Sequence, residues 1–442
     1  MLSALGDLPD PQVAQILLRH CAGFGKLVYS ARVGDPKSHS EALHYFDAAV
    51  HECFENLSSL RVGDDHWDQA TLGTREGGLG FRKLAKHSAA AFLSSRSACR
   101  ELCSQLDPLH SWEIDDSDSA LSGALQDYNS GVDQTNRLSA ESFGGGLIQK
   151  DLSRAIDNST LSRLSDPSRA DAGRQAHLKL MAAHGAGTWV HALPTKGGNN
   201  RVDPQLASIM LARAIRAPLH NHEFFCPCCD GVVDVFGDHC LTCSGGGDRT
   251  KRHNKIRNAV YSFCAEAGLS PELERPGLLQ PRPMLGASHE DGSRPAEAGE
   301  GNAGARRPAD VYIPRWKGGR PAALDLAVTS GLSTEALRES ARDGEAAALR
   351  YEGFKCEHLN TRTQCQSEGI TFIPVVAEAS GGGWAPEARM VWTDIAKLSA
   401  LASGESVQSI TMRLLQSLGV ILHRESARAI LRRQPAAPDA PA

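Results

Sequence analysis

The chain has 442 residues, of which 41% are hydrophobic, and a formal net charge of −5. That length accommodates two or three domains with sizeable cores. The mildly acidic total excludes a histone-like polycation, and no apolar run approaches the roughly 20 residues that span a bilayer.

The first thirty residues carry charges on an amphipathic pattern and do not read as a signal peptide. Scattered single cysteines (Cys21, Cys53, Cys264, Cys365) fit a reducing compartment. Residues 1–105 read as helical. Asp10-Pro11 is an N-cap with proline at the first helical position, Val13, Ile16 and Leu17 mark one face, and Gly23 is a stop. Asp35-Pro36 opens a second helix, with an apolar stripe of Leu43, Phe46, Val50, Cys53, Phe54 and Leu57. Gly63-Asp64-Asp65 lies in a polar context before Trp67 and reads as an exposed turn, because polymerase acids need a hairpin between apolar β-rich runs. Gly77-Gly-Leu-Gly80 is no phosphate loop: no strand precedes it and no Lys-Ser/Thr follows. An Ala-rich helix begins at Leu84. Residues 106–180 are polar and helical, with Asp166-Pro167 expected to cap another helix. Trp189-Val-His-Ala-Leu193-Pro194 and a helix over 204–216 follow.

The next stretch is denser in chemistry. Cys226-Pro-Cys-Cys229 is followed by Gly237-Asp-His239-Cys-Leu-Thr-Cys243, so five of the twelve cysteines fall within eighteen residues. Cys226-x2-Cys229 is a knuckle spacing that lets two thiolates share one tetrahedral ion. The second pair is open: His239-x3-Cys243 gives a site of three sulfurs and one imidazole, while Cys240-x2-Cys243 gives an all-cysteine site. His220 and His222, just upstream, read as surface residues. Arg249, Lys251, Arg252, Lys255 and Arg257 then place five positive charges in nine residues, with His253 among them. They sit on a helix whose apolar positions are Ile256, Val260 and Phe263. Such a patch beside a metal knuckle suits backbone phosphates.

Cys-Pro-x-Cys, Gly237-Asp-His239 with Cys243, and Arg252-His253-Asn together resemble the C-terminal part of non-LTR retrotransposon proteins, those that carry a restriction-like endonuclease downstream of the reverse transcriptase. Arg307-Pro-Ala-Asp310 and Ala323-Leu-Asp325-Leu-Ala-Val328 extend the resemblance. It implies Cys226, Cys229, His239 and Cys243 as the zinc ligands. It also implies that Trp67-x2-Ala70-x-Leu72, Glu76-Gly-Gly-Leu-Gly-Phe and the helix from Leu84 form a thumb-like region, and that Trp189 to Pro194 belongs to the connector before the knuckle. No Tyr-x-Asp-Asp strand pair precedes these helices, so the expectation is a chain that does not itself polymerise.

After the basic helix, Leu273-Glu274-Arg275 is a candidate strand, with Glu274 a possible additional acid. Between Pro281 and Arg307, 15 of 27 residues are Pro, Gly, Ala or Ser, which reads as a disordered insertion. Val311-Tyr-Ile313, a Lys317-Gly-Gly319 turn and Ala322 to Val328 read as a hairpin of apolar strands. A helix over 334–366, a strand from Thr371 to Ala377, a helix over 386–402 and a basic amphipathic helix over 406–432 complete the pattern, with a loose tail from Pro435.

Asp325 stands in the middle of an apolar strand, where a lone carboxylate costs several kcal/mol unless something pairs with it. Asp310 opens the preceding strand, and a hairpin turning at Lys317–Arg320 brings both carboxylates to one end of a sheet. Paired carboxylates are hard-oxygen ligands for Mg2+ or Mn2+, which activate water and stabilise a phosphoryl oxyanion. The layout resembles that of the PD-(D/E)xK nucleases. Pro308-Ala-Asp310 stands for Pro-Asp, and Ala327 occupies the position where a lysine completes Asp-x-Lys. The retroelement branch supplies that lysine from the following helix next to a tyrosine, which implies Lys355, with Arg350 second, beside Tyr351.

The expected architecture is α+β: thumb-like helices over 1–105, a helical connector over 106–219, a zinc knuckle over 220–248, a PD-(D/E)xK-like nuclease core over 249–405 and a C-terminal basic helix and tail over 406–442. The expected activity is a target-site DNA nickase. Asp310, Asp325 and Lys355 are its catalytic residues, Arg249, Lys251, Arg252, His253, Lys255 and Arg257 its nucleic-acid contacts, and DNA and element RNA its partners in the nucleus. The alternatives are a nuclease-dead binding module and a decayed element fragment.

Overall fold

The computed structural model describes residues 1–109, 119–195, 200–279 and 308–434. The expected insertion at 281–307, including Arg307, and the tail from Pro435 lie outside the described residues. The fold is α+β, with helices dominating and two small sheets.

The N-terminal region is helical. Asp10 accepts hydrogen bonds from the backbone of Gln12 and Val13, both at 3.1 Å, and so starts the helix Pro11–Leu17. A wide turn over Leu18–Ala22 then runs to Gly23. Two aspartates act differently from expectation. Asp35 accepts from Lys37 and Ser38 and caps a turn, so the helix begins only at Ser40 and runs to Ser58. Asp166 likewise holds a turn through Ser168, and Asp171 caps the helix Ala172–Met181. Both Asp-Pro pairs suit a turn as well as a helix start, because the carboxylate bonds amides two or three residues on in either case. Asp64 and Asp65 are exposed but open the helix Asp64–Thr71, with Asp65 paired to Arg163 at 3.0 Å. A Cβ at Gly78 would run into the carbonyls of Gln69 and Leu72, so that glycine serves close packing.

Two of the hydrophobic cores among the described residues are large. In the first, Phe54, Trp67 and Phe81 join Met210 of the helix Pro204–Ala214, the knuckle residues Val233 and Cys240, and Val420, Ala427 and Ile430. In the second, Ile256 and Val260 meet Val311, Ile313, Leu324, Leu326, Val375 and Trp392, together with Leu414, Leu418 and Leu422. The C-terminal helix Val407–Leu431 therefore feeds both cores and is buried along most of its length from Ile410 to Ile430. It is the amphipathic helix expected over 406–432, with its apolar positions supplying both cores. Arg424 and Arg433 are themselves buried, Arg424 against Glu425 and Arg433 against Asp248.

The small sheet is a hairpin, β1 (Phe224–Phe225) against β2 (Val232–Val233). The larger sheet has the order β3 (Glu272–Leu273), β4 (Val311–Ile313), β5 (Ala322–Thr329), β6 (Thr371–Glu378). β3/β4 and β4/β5 are antiparallel and β5/β6 is parallel, with Asp325 opposite Pro374. Leu324 and Leu326 face the second core, whereas Ala323 and Ala327 meet Cys365, Phe372, Ala348 and Val376 on the other side. Asp325 shares that second face by the two-residue period of a strand. The crossover between β5 and β6 is not one helix over 334–366. It breaks into Leu337–Ser340, Ala346–Glu357 and Thr361–Ser367, with Leu359 and Asn360 both at φ near +55° between the last two. The helix Pro386–Ser403 covers the sheet beyond β6. Among the described residues no helix is long and apolar enough to cross a membrane.

Candidate functional site

Cys226 and Cys229 sit on the turn of the β1–β2 hairpin. The Cys226 amide donates to the Gly231 carbonyl at 2.9 Å, and the Gly231 amide points at Cys229 Sγ at 3.4 Å. A Cβ on Gly231 would lie 2.5 Å from the His239 ring, so glycine is required there. Asp234 accepts from the amides of Phe236 and His239, each at 2.9 Å, and so fixes the short helix His239–Thr242, which opens on His239 and is followed directly by Cys243.

The result is a cluster in which the ligand atoms of Cys226, Cys229, His239 and Cys243 all lie within 4.8 Å of one another. Cys226 Sγ and Cys243 Sγ are 3.8 Å apart, Cys229 Sγ and Cys243 Sγ 3.5 Å, and Cys229 Sγ and His239 Nε2 3.3 Å. Ligands about 2.0–2.3 Å from a tetrahedral zinc have separations of this order, so three sulfurs and an imidazole fit structural Zn2+. Burial opposes ionisation of Cys226, but the Cys228 amide and the side chains of His239, Cys229 and Cys243 lower its pKa. Geometry decides the alternative left open by spacing. Cys240 points into the first core, is 2% exposed, and has its thiol pushed up by burial to about 12. Cys228 packs against Gly245 and Gly246, outside the cluster, and His220 stacks edge-on against Phe224.

The knuckle runs straight into the basic helix Asp248–Glu266. Asp248 accepts from Arg432 and, at 2.7 Å, from Arg433, which also donates to the Gly245 carbonyl at 2.9 Å. The end of the C-terminal helix thus clamps the junction between knuckle and basic helix.

The six residues expected to contact nucleic acid divide. Arg249, Lys251 and Lys255 are exposed. Arg252 is 4% exposed and donates to the Leu241 carbonyl at 2.9 Å and Ser426 Oγ at 3.3 Å, and burial lowers its pKa to about 10. It is a packing residue, because position 252 shares its face with Ile256 and Val260 at four-residue steps. Arg257 is also turned inward, to an ion pair with Glu274. His253 reaches the acid cluster.

At that cluster Asp310 Oδ2 accepts from the Leu326 amide at 2.7 Å and lies 3.2 Å from His253 Nε2. One strand over, Lys355 Nζ lies 3.1 Å from Asp325 Oδ1 and 3.0 Å from Oδ2. Burial pushes the Asp325 carboxyl up; Lys355 pulls it down and Asp310 adds to the rise. Burial works against the Lys355 ammonium, but Asp325 more than compensates and raises its pKa. Arg350 points elsewhere, to Glu339 at 3.0 Å. Glu274 donates its amide to the Asp310 carbonyl at 3.1 Å and so stands at the rim. The hairpin and the crossover helix Ala346–Glu357 therefore bring Asp310, Asp325 and Lys355 together, with His253 against Asp310. That contact of His253 was not foreseen. Its only sequence signal is that 253 and 257 lie on one side of the helix, one step from the buried 252–256–260 face.

No protein-family profile matches this chain, and no curated protein sequence matches it.

Proposed function

We propose that this chain is a divalent-metal-dependent DNA endonuclease that nicks duplex DNA, built on a restriction-like PD-(D/E)xK core and related to the C-terminal regions of non-LTR retrotransposon proteins. The observation that carries the reading is the meeting of Asp310, Asp325 and Lys355, drawn from two adjacent strands and the helix after them. Two carboxylates partly sunk beside one ammonium and one imidazole supply hard oxygen donors, which fit Mg2+ or Mn2+. A bound ion would activate water and offset charge on the scissile phosphate. Lys355 keeps its ammonium at Asp325, from which it can donate to a water or a phosphate oxygen as charge develops there. Asp310 is held rigidly by the Leu326 amide, so the site is preorganised on its strand.

The Cys226–Cys229–His239–Cys243 cluster is read as a zinc knuckle that anchors the basic helix. Exposed Arg249, Lys251 and Lys255 are read as contacts to the phosphate backbone. Element RNA as a second ligand, a thumb-like role for the N-terminal helices and a nuclear place of action follow from the resemblance. The test is conversion of supercoiled plasmid to open circle with Mg2+ or Mn2+. Wild-type protein should nick and Asp310→Asn should not. A wild type inert with both ions contradicts the nuclease and leaves a nucleic-acid-binding module.

A further inference from the structure

We infer that His253 is a positioning residue for the acid cluster: it holds the Asp310 carboxylate so that Oδ2 is spent inside the protein and Oδ1 faces a divalent cation. The inference rests on the nuclease reading and adds to it a residue that acts through Asp310.

His253 Nε2 has two neighbours, Asp310 Oδ2 and the Leu326 carbonyl, each at 3.2 Å. Neither a carboxylate nor a carbonyl can donate, so Nε2 carries a hydrogen that these two acceptors share, while Nδ1 lies 3.4 Å from Asn254 Oδ1. The Leu326 amide donates to the same Oδ2 at 2.7 Å. Two donors use the two lone pairs of that oxygen. Among the described residues no donor is bonded to Oδ1, which leaves it as the oxygen of Asp310 open to an ion.

His253 is itself held firmly. Its neighbour Arg252 is locked to Leu241 and Ser426, Ile256 one turn on is 2% exposed, and the start of their helix is clamped at Asp248 by Arg432 and Arg433. A continuous line of fixed groups thus runs from the Cys226–Cys243 knuckle through the basic helix to Asp310. An imidazole committed in this way is poorly placed to bind a phosphate, the role its position in a basic run suggests. Ligand carboxylates are commonly held by such outer hydrogen bonds, and losing one costs about 10–100-fold in metal affinity or activity.

The experiment uses the full chain and Mn2+ as probe. Mn2+ binding is followed by electron paramagnetic resonance, alongside zinc content and duplex affinity measured without Mn2+. His253→Ala should weaken Mn2+ binding about 10–100-fold and raise the Mn2+ needed for half-maximal nicking by a similar factor. Zinc content and duplex affinity should stay as in the wild type. His253→Gln and His253→Asn guard against a folding defect. Both keep an amide, but only the longer glutamine brings an N–H to the place of Nε2, so Gln should bind Mn2+ nearly as the wild type does and Asn should not. Unchanged Mn2+ binding in His253→Ala overturns the inference and leaves the nuclease reading intact. Lost duplex affinity with unchanged Mn2+ binding makes His253 a phosphate contact and also overturns it. A wild type with no Mn2+ site sensitive to Asp325→Asn removes the acid-site reading and this inference together.

Discussion

Lys355 and Asp325 stand thirty residues apart in the chain, yet the lysine Nζ lies 3.1 and 3.0 Å from the two carboxylate oxygens. Asp325 taken alone in its strand is a costly charge, and its replacement by asparagine should then stabilise the fold. Lys355 reverses that expectation, since removing the carboxylate strands a mostly covered ammonium. Asp325→Asn should cost about 1–2 kcal/mol, below the roughly 3–5 kcal/mol of a fully buried pair because both side chains keep some contact with solvent. Adding Lys355→Met should recover most of the loss. Urea denaturation of both single variants and the double variant measures the coupling, and strictly additive effects would contradict the pair.

Zinc content separates the two knuckle assignments. The chain should carry about one zinc, as a single four-ligand site requires. Cys226→Ser, Cys243→Ser and His239→Ala should each lose it, whereas Cys240→Ser should retain it. Metal lost only with Cys240 would overturn the cluster.

The basic helix should divide in the same way as its exposures. Lys251→Ala and Lys255→Ala should weaken binding to every duplex alike, each reducing the salt slope by about 1. Arg252→Ala should instead leave the slope alone and lower stability by about 1–3 kcal/mol, because it leaves the buried Leu241 carbonyl unpaired. Titrations at several salt concentrations, paired with melting curves, decide it. A steep loss of salt dependence in Arg252→Ala would return that arginine to the DNA surface.

Two histidines set an acid limit. His423 is buried beside Arg213 and its pKa falls to about 3; burial, with Arg216 and Arg174 near, also holds His177 well below its ordinary value. Both are neutral in the fold, and the unfolded chain takes up their protons first. Stability is therefore present above about pH 6.5 and falls as pH drops toward the folded values, by up to about 1.4 kcal/mol per pH unit for each. Urea midpoints at pH 7.5, 6 and 5 should fall in that order, and His423→Leu should flatten the trend. Equal midpoints would contradict it.

Much of the site was legible because its signals are local. The Cys226-x2-Cys229 and His239-x3-Cys243 spacings mark a turn and a short helix, and the apolar runs around Lys317-Gly-Gly319 mark a hairpin whose ends carry Asp310 and Asp325. What escaped depends on tertiary context. Arg252 and Arg257 count as surface charge until their partners, Leu241, Ser426 and Glu274, are in place. The break in the crossover rests on left-handed Leu359 and Asn360, where no glycine announces it. The C-terminal helix reads as basic, yet Arg424, and Arg433 just past its end, pair inside, while Arg413 and Arg428 stay exposed.

The most direct measurement is nicking of supercoiled plasmid by the wild type and by Asp325→Asn side by side, with Mg2+ and with Mn2+, at matched duplex occupancy. The expected result is open circle from the wild type and a rate on the order of a thousandfold lower from Asp325→Asn, the loss of several kcal/mol of charge stabilisation, with DNA binding intact. Nicking by Asp325→Asn at the wild-type rate would contradict a catalytic role for the acid cluster.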